Sequence, residues 1–316
     1  MSRPFRFGIQ IHDLPTPDWR ERIRRVETLG YSTVFLPDHF SDQWEPAAAL
    51  GGFAGVTEHL NVGTLVYDVD YRHPVILAKS SATLHAISGG RHEFGIGAGW
   101  METDYRAAGM RYDSPGVRIG RLDEALQIIR SMWINEKTSF EGEHYQIANI
   151  ARAATLPAGE QPRILIGGGG PRILKLAGQY ADIVGINPKL PEGKVTRDTP
   201  KDSSLDRVRQ KIGWVEAGAE AVGRRLSEIE LNSLTFVVAI TDDPKPLREG
   251  LARNTGMTVE QVAECPLFLT GSASELRDRL EKQREDTGIS YIVIQGADPA
   301  VLESFAESIV EPLAGR

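Results

Sequence analysis

Short apolar runs of strand length alternate with helical patterns along the whole chain, and no other feature narrows the fold as much. The runs are Phe5–Ile11, Ser32–Leu36, Leu60–Val66, His92–Ala98, Arg163–Ile166, Asp182–Ile186, Glu230–Ile240 and Tyr291–Gln295. Each is continuously apolar rather than alternating, as strands buried on both faces must be. Helical patterns fall between them at Trp19–Leu29, Pro46–Gly55, Val117–Asn135, Pro171–Gln179 and Leu205–Arg224. Pro74 opens another helix that Gly89 and Gly90 close, and two short helices are expected near Lys245–Asn254 and Thr258–Ala263. Ser272 and Glu275 form a capping-box pattern before a helix ending at Gly288, and Asp298-Pro299 starts the last one. Eight strands alternating with helices favour an α/β fold of the closed (β/α)8 TIM-barrel class over an open doubly wound sheet. No GxGxxG follows the first strand, as the open sheet of a dinucleotide-binding fold would require. No linker divides the 316 residues, so they read as one domain, 1–316, with insertions in the βα loops. Thr138–Ile147 reads as a small hairpin, and the polar stretch 187–203 as a lid or mobile insertion.

Composition sets outer limits. Forty-three acidic against 36 basic residues give a net charge of −7, which disfavours nucleic acid or an anionic membrane as a partner. Cys265 is the single cysteine, so an intrachain disulfide or a cysteine zinc cluster is excluded. The histidines show no HExxH spacing, so no metal site is expected. No apolar run approaches membrane-spanning length, and nothing resembles a signal peptide. The expectation is a reduced, cytoplasmic protein.

Barrel chemistry gathers at the C-terminal strand ends. Asp38 and His39 follow the second strand, and imidazole suits proton movement near neutral pH. Taken alone, the pair reads better as a capping Asp beside a partly exposed His. Gly97, Ala98, Gly99 and Trp100 follow the fourth strand. Gly167–Gly170 follow the fifth, where Pro171 begins a helix with Arg172 in its first turn. Consecutive glycines let backbone amides converge on an anion at a helix N-terminus, although they also make a flexible turn. Trp44, Tyr67, Tyr71, Trp100 and Tyr105 read as loop aromatics, and Trp44, Tyr67 and Trp100 are expected to line a substrate pocket.

Taken together, LGYSTVFLPDHF (29–40), LNVGTLVYDVDYRHPVILAKSSATLHAISGGRHEFGIGAGW (60–100), PRILIGGGGPRILKLAGQYADIVGIN (162–187) and GSASELRDRLEKQ (271–283) resemble the bacterial luciferase-like flavin- and deazaflavin-dependent oxidoreductases. The resemblance runs over about residues 5–295 and implies the same barrel. It is strongest to the branch using coenzyme F420, a deazaflavin that passes hydride. It therefore implies an F420-dependent oxidoreductase acting on a small organic substrate. The alternative is an FMN-dependent monooxygenase using O2, and a catalytically silent barrel is a third class. The resemblance makes Asp38 and His39 the catalytic pair beside the ring. It assigns Thr64, Leu65 and Val66 to a bulge behind the ring carrying a non-proline cis peptide, and Gly97, Ala98 and Gly99 to the cofactor's approach. Gly168, Gly169, Gly170 and Arg172 go to its phosphate. Some sugar-phosphate dehydrogenases of this branch carry a catalytic Glu where this chain has Trp100, which argues against that activity. Members often pair through barrel helices, so a homodimer is implied.

Overall fold

The computed structural model describes residues 3–13, 15–153, 160–296 and 298–316. Its main sheet is parallel and closed. The strands are β1 (Arg6–Gln10), β2 (Thr33–Leu36), β3 (Asn61–Thr64), β4 (Tyr67–Asp68), β5 (His92–Gly97), β8 (Arg163–Gly168), β9 (Ile183–Ile186), β10 (Glu230–Thr235) and β13 (Ile289–Gln295). Their order is β3-β2-β1-β13-β10-β9-β8-β5-β4, and pairing of β3 with β5 closes the ring. Because β4 continues β3, the barrel has the eight staves expected from the sequence.

The third and seventh staves differ from their sequence readings. Leu60–Val66 is not one strand: the ladder stops at Thr64, the Leu65–Val66 peptide is cis, and pairing to β5 resumes at Tyr67. Glu230–Ile240 is broken at Phe236, whose amide and that of Val237 both donate to the Leu267 carbonyl at 2.9 and 3.1 Å. The second half becomes β11 (Val237–Ile240), pairing outside the barrel with β12 (Phe268–Gly271). The sequence reading missed β12. Strands β6 (Lys137–Glu141) and β7 (Gln146–Ala151) form the expected hairpin.

Outer helices are α1 (Trp19–Thr28), α2 (Pro46–Val56), α3 (Pro74–Ile87), α4 (Glu102–Ala107), α5 (Pro115–Ile134), α6 (Pro171–Tyr180), α7 (Leu205–Glu220), α8 (Lys245–Thr255), α9 (Val259–Glu264), α10 (Ala273–Thr287) and α11 (Pro299–Phe305). Their starts follow the local chemistry. Ser272 accepts from the Glu275 amide, Thr258 and Gln261 complete a capping box, and Asp298 caps α11. Apolar faces of these helices pack on the outside of the barrel, as Leu122, Ile129 and Met132 of α5 do, each fully buried.

Inside, a charged layer closes the N-terminal end. Arg6 lies over the Tyr291 ring and bonds Glu93 and Glu230 at 2.8 and 2.9 Å, and Arg163 bonds Glu230 at 2.8 Å. Above it, Phe35, Leu65, Leu165, Ile183 and Val293 fill the middle. These two layers fill the barrel from its N-terminal end.

His92 makes stability depend on acidity. Its Nδ1 donates to the Val62 carbonyl at 2.9 Å, while buried Nε2 has no partner among the described residues. Burial, reinforced by nearby His85, lowers its pKa to about 4. The unfolded chain therefore binds the extra proton first as pH falls. This contribution is complete above about pH 6.5, declines toward pH 4, and amounts to about 3 kcal/mol. Urea titrations across that range should show His92→Leu with a shallower decline than the parent. Parallel curves would remove His92 as the cause.

Candidate active site

Since every barrel strand is parallel, the residues after β2, β4, β5 and β8 share one rim. His39 leaves β2 half-buried. Its Nδ1 lies 2.7 Å from Oδ2 of Asp104 on α4, and the Trp100 ring meets it edge-on at 5.6 Å. The Tyr71 hydroxyl donates to the same Asp104 oxygen at 3.4 Å, and exposed Phe40 packs on Tyr71.

Asp38 is buried and faces elsewhere. Its Oδ2 accepts from Arg72 Nη1 at 2.6 Å and from the Asp68 amide at 3.1 Å. Burial outweighs the Arg72 guanidinium and raises its pKa. Arg72 bonds Glu45 as well, at 2.8 Å. The adjacent pair Asp38-His39 is therefore split between two separate networks.

A third network lies behind Gly99. The Tyr105 hydroxyl is within 3.0 Å of both Asp68 oxygens and of Asp70 Oδ2. A phenol has one proton to donate, so a carboxylic proton is favoured in this cluster. Burial, with the neighbouring Asp70 and Asp38 charges, pushes Asp68 up to about 7. The backbone path at Gly99 requires glycine, because φ is +69° and a Cβ there would collide with Tyr105 and Asp68.

Leu65 and Val66 lie outside both ladders. Gln10 donates to the Leu65 carbonyl at 2.6 Å, and Gln295 donates to Gln10 at 3.0 Å. Gly97 faces Val66: a Cβ on it would stand 2.9 Å from Val66 Cγ2. Thr64 is buried, its hydroxyl donating to the Gly95 carbonyl at 2.7 Å. Ala98 packs on the core at the same strand end.

After β8, Gly168 abuts Ile173 and Gly169 abuts the Pro188–Lys189 backbone, while Gly170 opens onto space with nothing within 4 Å of a Cβ. Among the described residues, no group accepts from the Gly169 or Gly170 amide. Arg172 reaches across Gly116 at the start of α5, where a Cβ would lie 2.9 Å from its Nη1. Free amides at a helix N-terminus and an exposed guanidinium are the donor set a phosphate takes.

Two expected pocket residues belong to the packing instead. Tyr67 is buried in β4 against Phe94, with Arg72 over its ring. Trp44 packs on Trp19 and Phe53 over α2. Tyr105 is likewise no loop residue but a fully buried member of α4. Trp100 alone of the expected pocket residues faces His39. Asp104, Arg72, Asp68 and Tyr105 were not singled out as catalytic from the sequence. The DVDYR and ETDYR runs were the only signal. The stretch 187–203 holds short 3-10 turns at Pro191–Gly193 and Thr199–Ser203. Buried Lys211 ties its two ends, donating to the Asn187 and Asp202 carbonyls at 2.8 and 2.7 Å. Among the described residues no acidic, His or Cys cluster could hold a metal, and no helix is long and apolar enough to cross a membrane.

Residues 4–288 match the family model described as luciferase-like monooxygenase. The chain belongs to that family. Among curated relatives, an F420-dependent glucose-6-phosphate dehydrogenase of Kineococcus radiotolerans is 33% identical over 80% of this chain and 74% of its own. A phthiodiolone/phenolphthiodiolone dimycocerosates ketoreductase of Mycobacterium bovis is 29% identical over 69% of this chain. The luciferase-like chain spans 58% of that ketoreductase's length. The same barrel is seen in coenzyme F420-dependent tetrahydromethanopterin reductase from Methanopyrus kandleri. The TM-score is 0.79 at 21% identity, with 98% of this chain and 99% of that one covered. A monooxygenase from Streptomyces bottropensis matches at TM-score 0.75 and 20% identity, covering 98% of this chain and 100% of its own.

Proposed function

We propose that this chain is a coenzyme F420-dependent oxidoreductase that moves hydride between the deazaflavin C5 and a small organic substrate. One observation carries the reading: half-buried His39 and the Gly168–Gly170 turn, with its free Gly169 and Gly170 amides, occupy the same rim of one barrel. Relatives named as F420-dependent enzymes support it. The residues present fit the cofactor at its phosphate, because the Gly169 and Gly170 amides have no acceptor among the described residues and Arg172 is exposed beside them.

Bound F420 supplies the hydride chemistry. The chain supplies position, a proton and exclusion of water. Gly168, Gly169, Gly170 and Arg172 hold the phosphate. Thr64, Leu65 and Val66 back the ring, with Gly97, Ala98 and Gly99 alongside. His39 holds or delivers the proton through Nε2, and Asp38 anchors the loop that carries it through Arg72. Trp100 walls the open face in apolar surface, so a sugar phosphate is not the proposed substrate. The stretch 187–203, tied at its neck by Lys211, covers the mouth.

Titrating purified protein with F420 and with FMN tests the reading. F420 should bind, and Arg172→Ala should weaken it about tenfold, the loss of one charge-assisted phosphate contact. An FMN-dependent monooxygenase is the second reading, favoured by the monooxygenase structures that share the barrel. Tight FMN binding with none of F420 would establish it and reject the first.

A further inference from the structure

We infer that Asp104, carried on the short helix α4, sets the proton arrangement of His39, and that its sequence neighbour Asp38 does not. A carboxylate oxygen only accepts, so at the 2.7 Å contact His39 Nδ1 must carry the hydrogen. Neutral His39 is then the Nδ1–H tautomer, and Nε2 keeps its lone pair for a proton at the mouth. An imidazole's second nitrogen is governed in this way by the bond its first nitrogen makes.

Several contacts hold the arrangement. Asp104 is 7% exposed, and its amide is bonded to the Met101 carbonyl, so the carboxylate projects from the first turn of α4. Tyr71 donates to the same oxygen and restricts it further. The edge of Trp100 limits rotation of the imidazole. The Asp38 carboxylate makes no hydrogen bond to His39 and is committed to Arg72 and the Asp68 amide. Asp104 is thus a positioning residue, acting on the reaction through His39. Its consequence for turnover rests on the proposed function, but the tautomer does not.

The test uses the whole protein labelled with 15N-histidine, without cofactor, at a pH above the histidine range. Signals of His39 are identified by their disappearance in His39→Gln. The parent should show His39 with its hydrogen on Nδ1. Asp104→Ala should lose that form as the hydrogen moves to Nε2, and Asp38→Asn should retain it. Should Asp104→Ala fail to fold, Asp104→Leu fills the buried space and carries the same expectation. A parent with the hydrogen on Nε2, or an unchanged tautomer in the Asp104 variant, overturns the inference. F420 failing to bind the parent would instead undo the proposed function and leave this result standing.

Discussion

Replacing His39 by alanine is expected to leave F420 binding within about threefold of the parent and to lower turnover by about 10²- to 10⁴-fold, the usual scale of positioned acid–base catalysis. The side chain is half-buried, and its one described polar contact is with Asp104. Removing it opens the rim without disturbing the Phe35 and Leu165 layer below. Binding should persist, because the cradle after β8 does not use the imidazole. The measurement is F420 absorbance during reduction of a panel of activated alkenes, imines and carbonyl compounds, alongside a binding titration. Equal turnover in parent and variant would take His39 out of the mechanism. A variant that does not fold would make it a packing residue.

Gly99→Ala should destabilise the protein by about 2–4 kcal/mol, combining a side chain in the left-handed region with overpacking. The φ of +69° accounts for the first part, and collision with the Tyr105 hydroxyl and Asp68 Oδ2 for the second. Neither neighbour gives way cheaply: Tyr105 is fully buried and bridges two carboxyl groups. Gly213→Ala is the matched control. It lies in the exposed middle of α7 with nothing within 4 Å, and should gain about 0.5–1 kcal/mol. Urea unfolding of both variants checks the pair. A Gly99→Ala protein as stable as the parent would mean that the Tyr105–Asp68 cluster yields readily.

The candidate site was legible only where it follows strand ends. His39, Gly99, Trp100 and the glycine run lie directly after apolar runs, so their shared rim could be read from order along the chain. Asp104 could not be found that way. Acidic residues in a first helical turn are ordinary, and nothing local marks Asp104 as facing a histidine 65 positions earlier. Tyr67 was read as a pocket wall because the third strand looks finished at Val66. Pairing of Tyr67 with Ile96 resumes the ladder and buries it.

The chain's own alternation of apolar runs and amphipathic helices determined a parallel sheet covered by helices, because a strand flanked by helices buries both faces in such a layer, and the count of eight runs favoured its closure into a barrel. The same local chemistry determined most helix starts, through prolines and capping side chains that act within four residues. Tertiary structure alone decided which carboxylate serves His39, where the seventh strand breaks and which aromatics reach the mouth. Those outcomes depend on partners far apart in sequence, such as Leu267 for Phe236 and Asp104 for His39. Local preference carries no information about a hydrogen bond whose other half arrives only when the barrel closes.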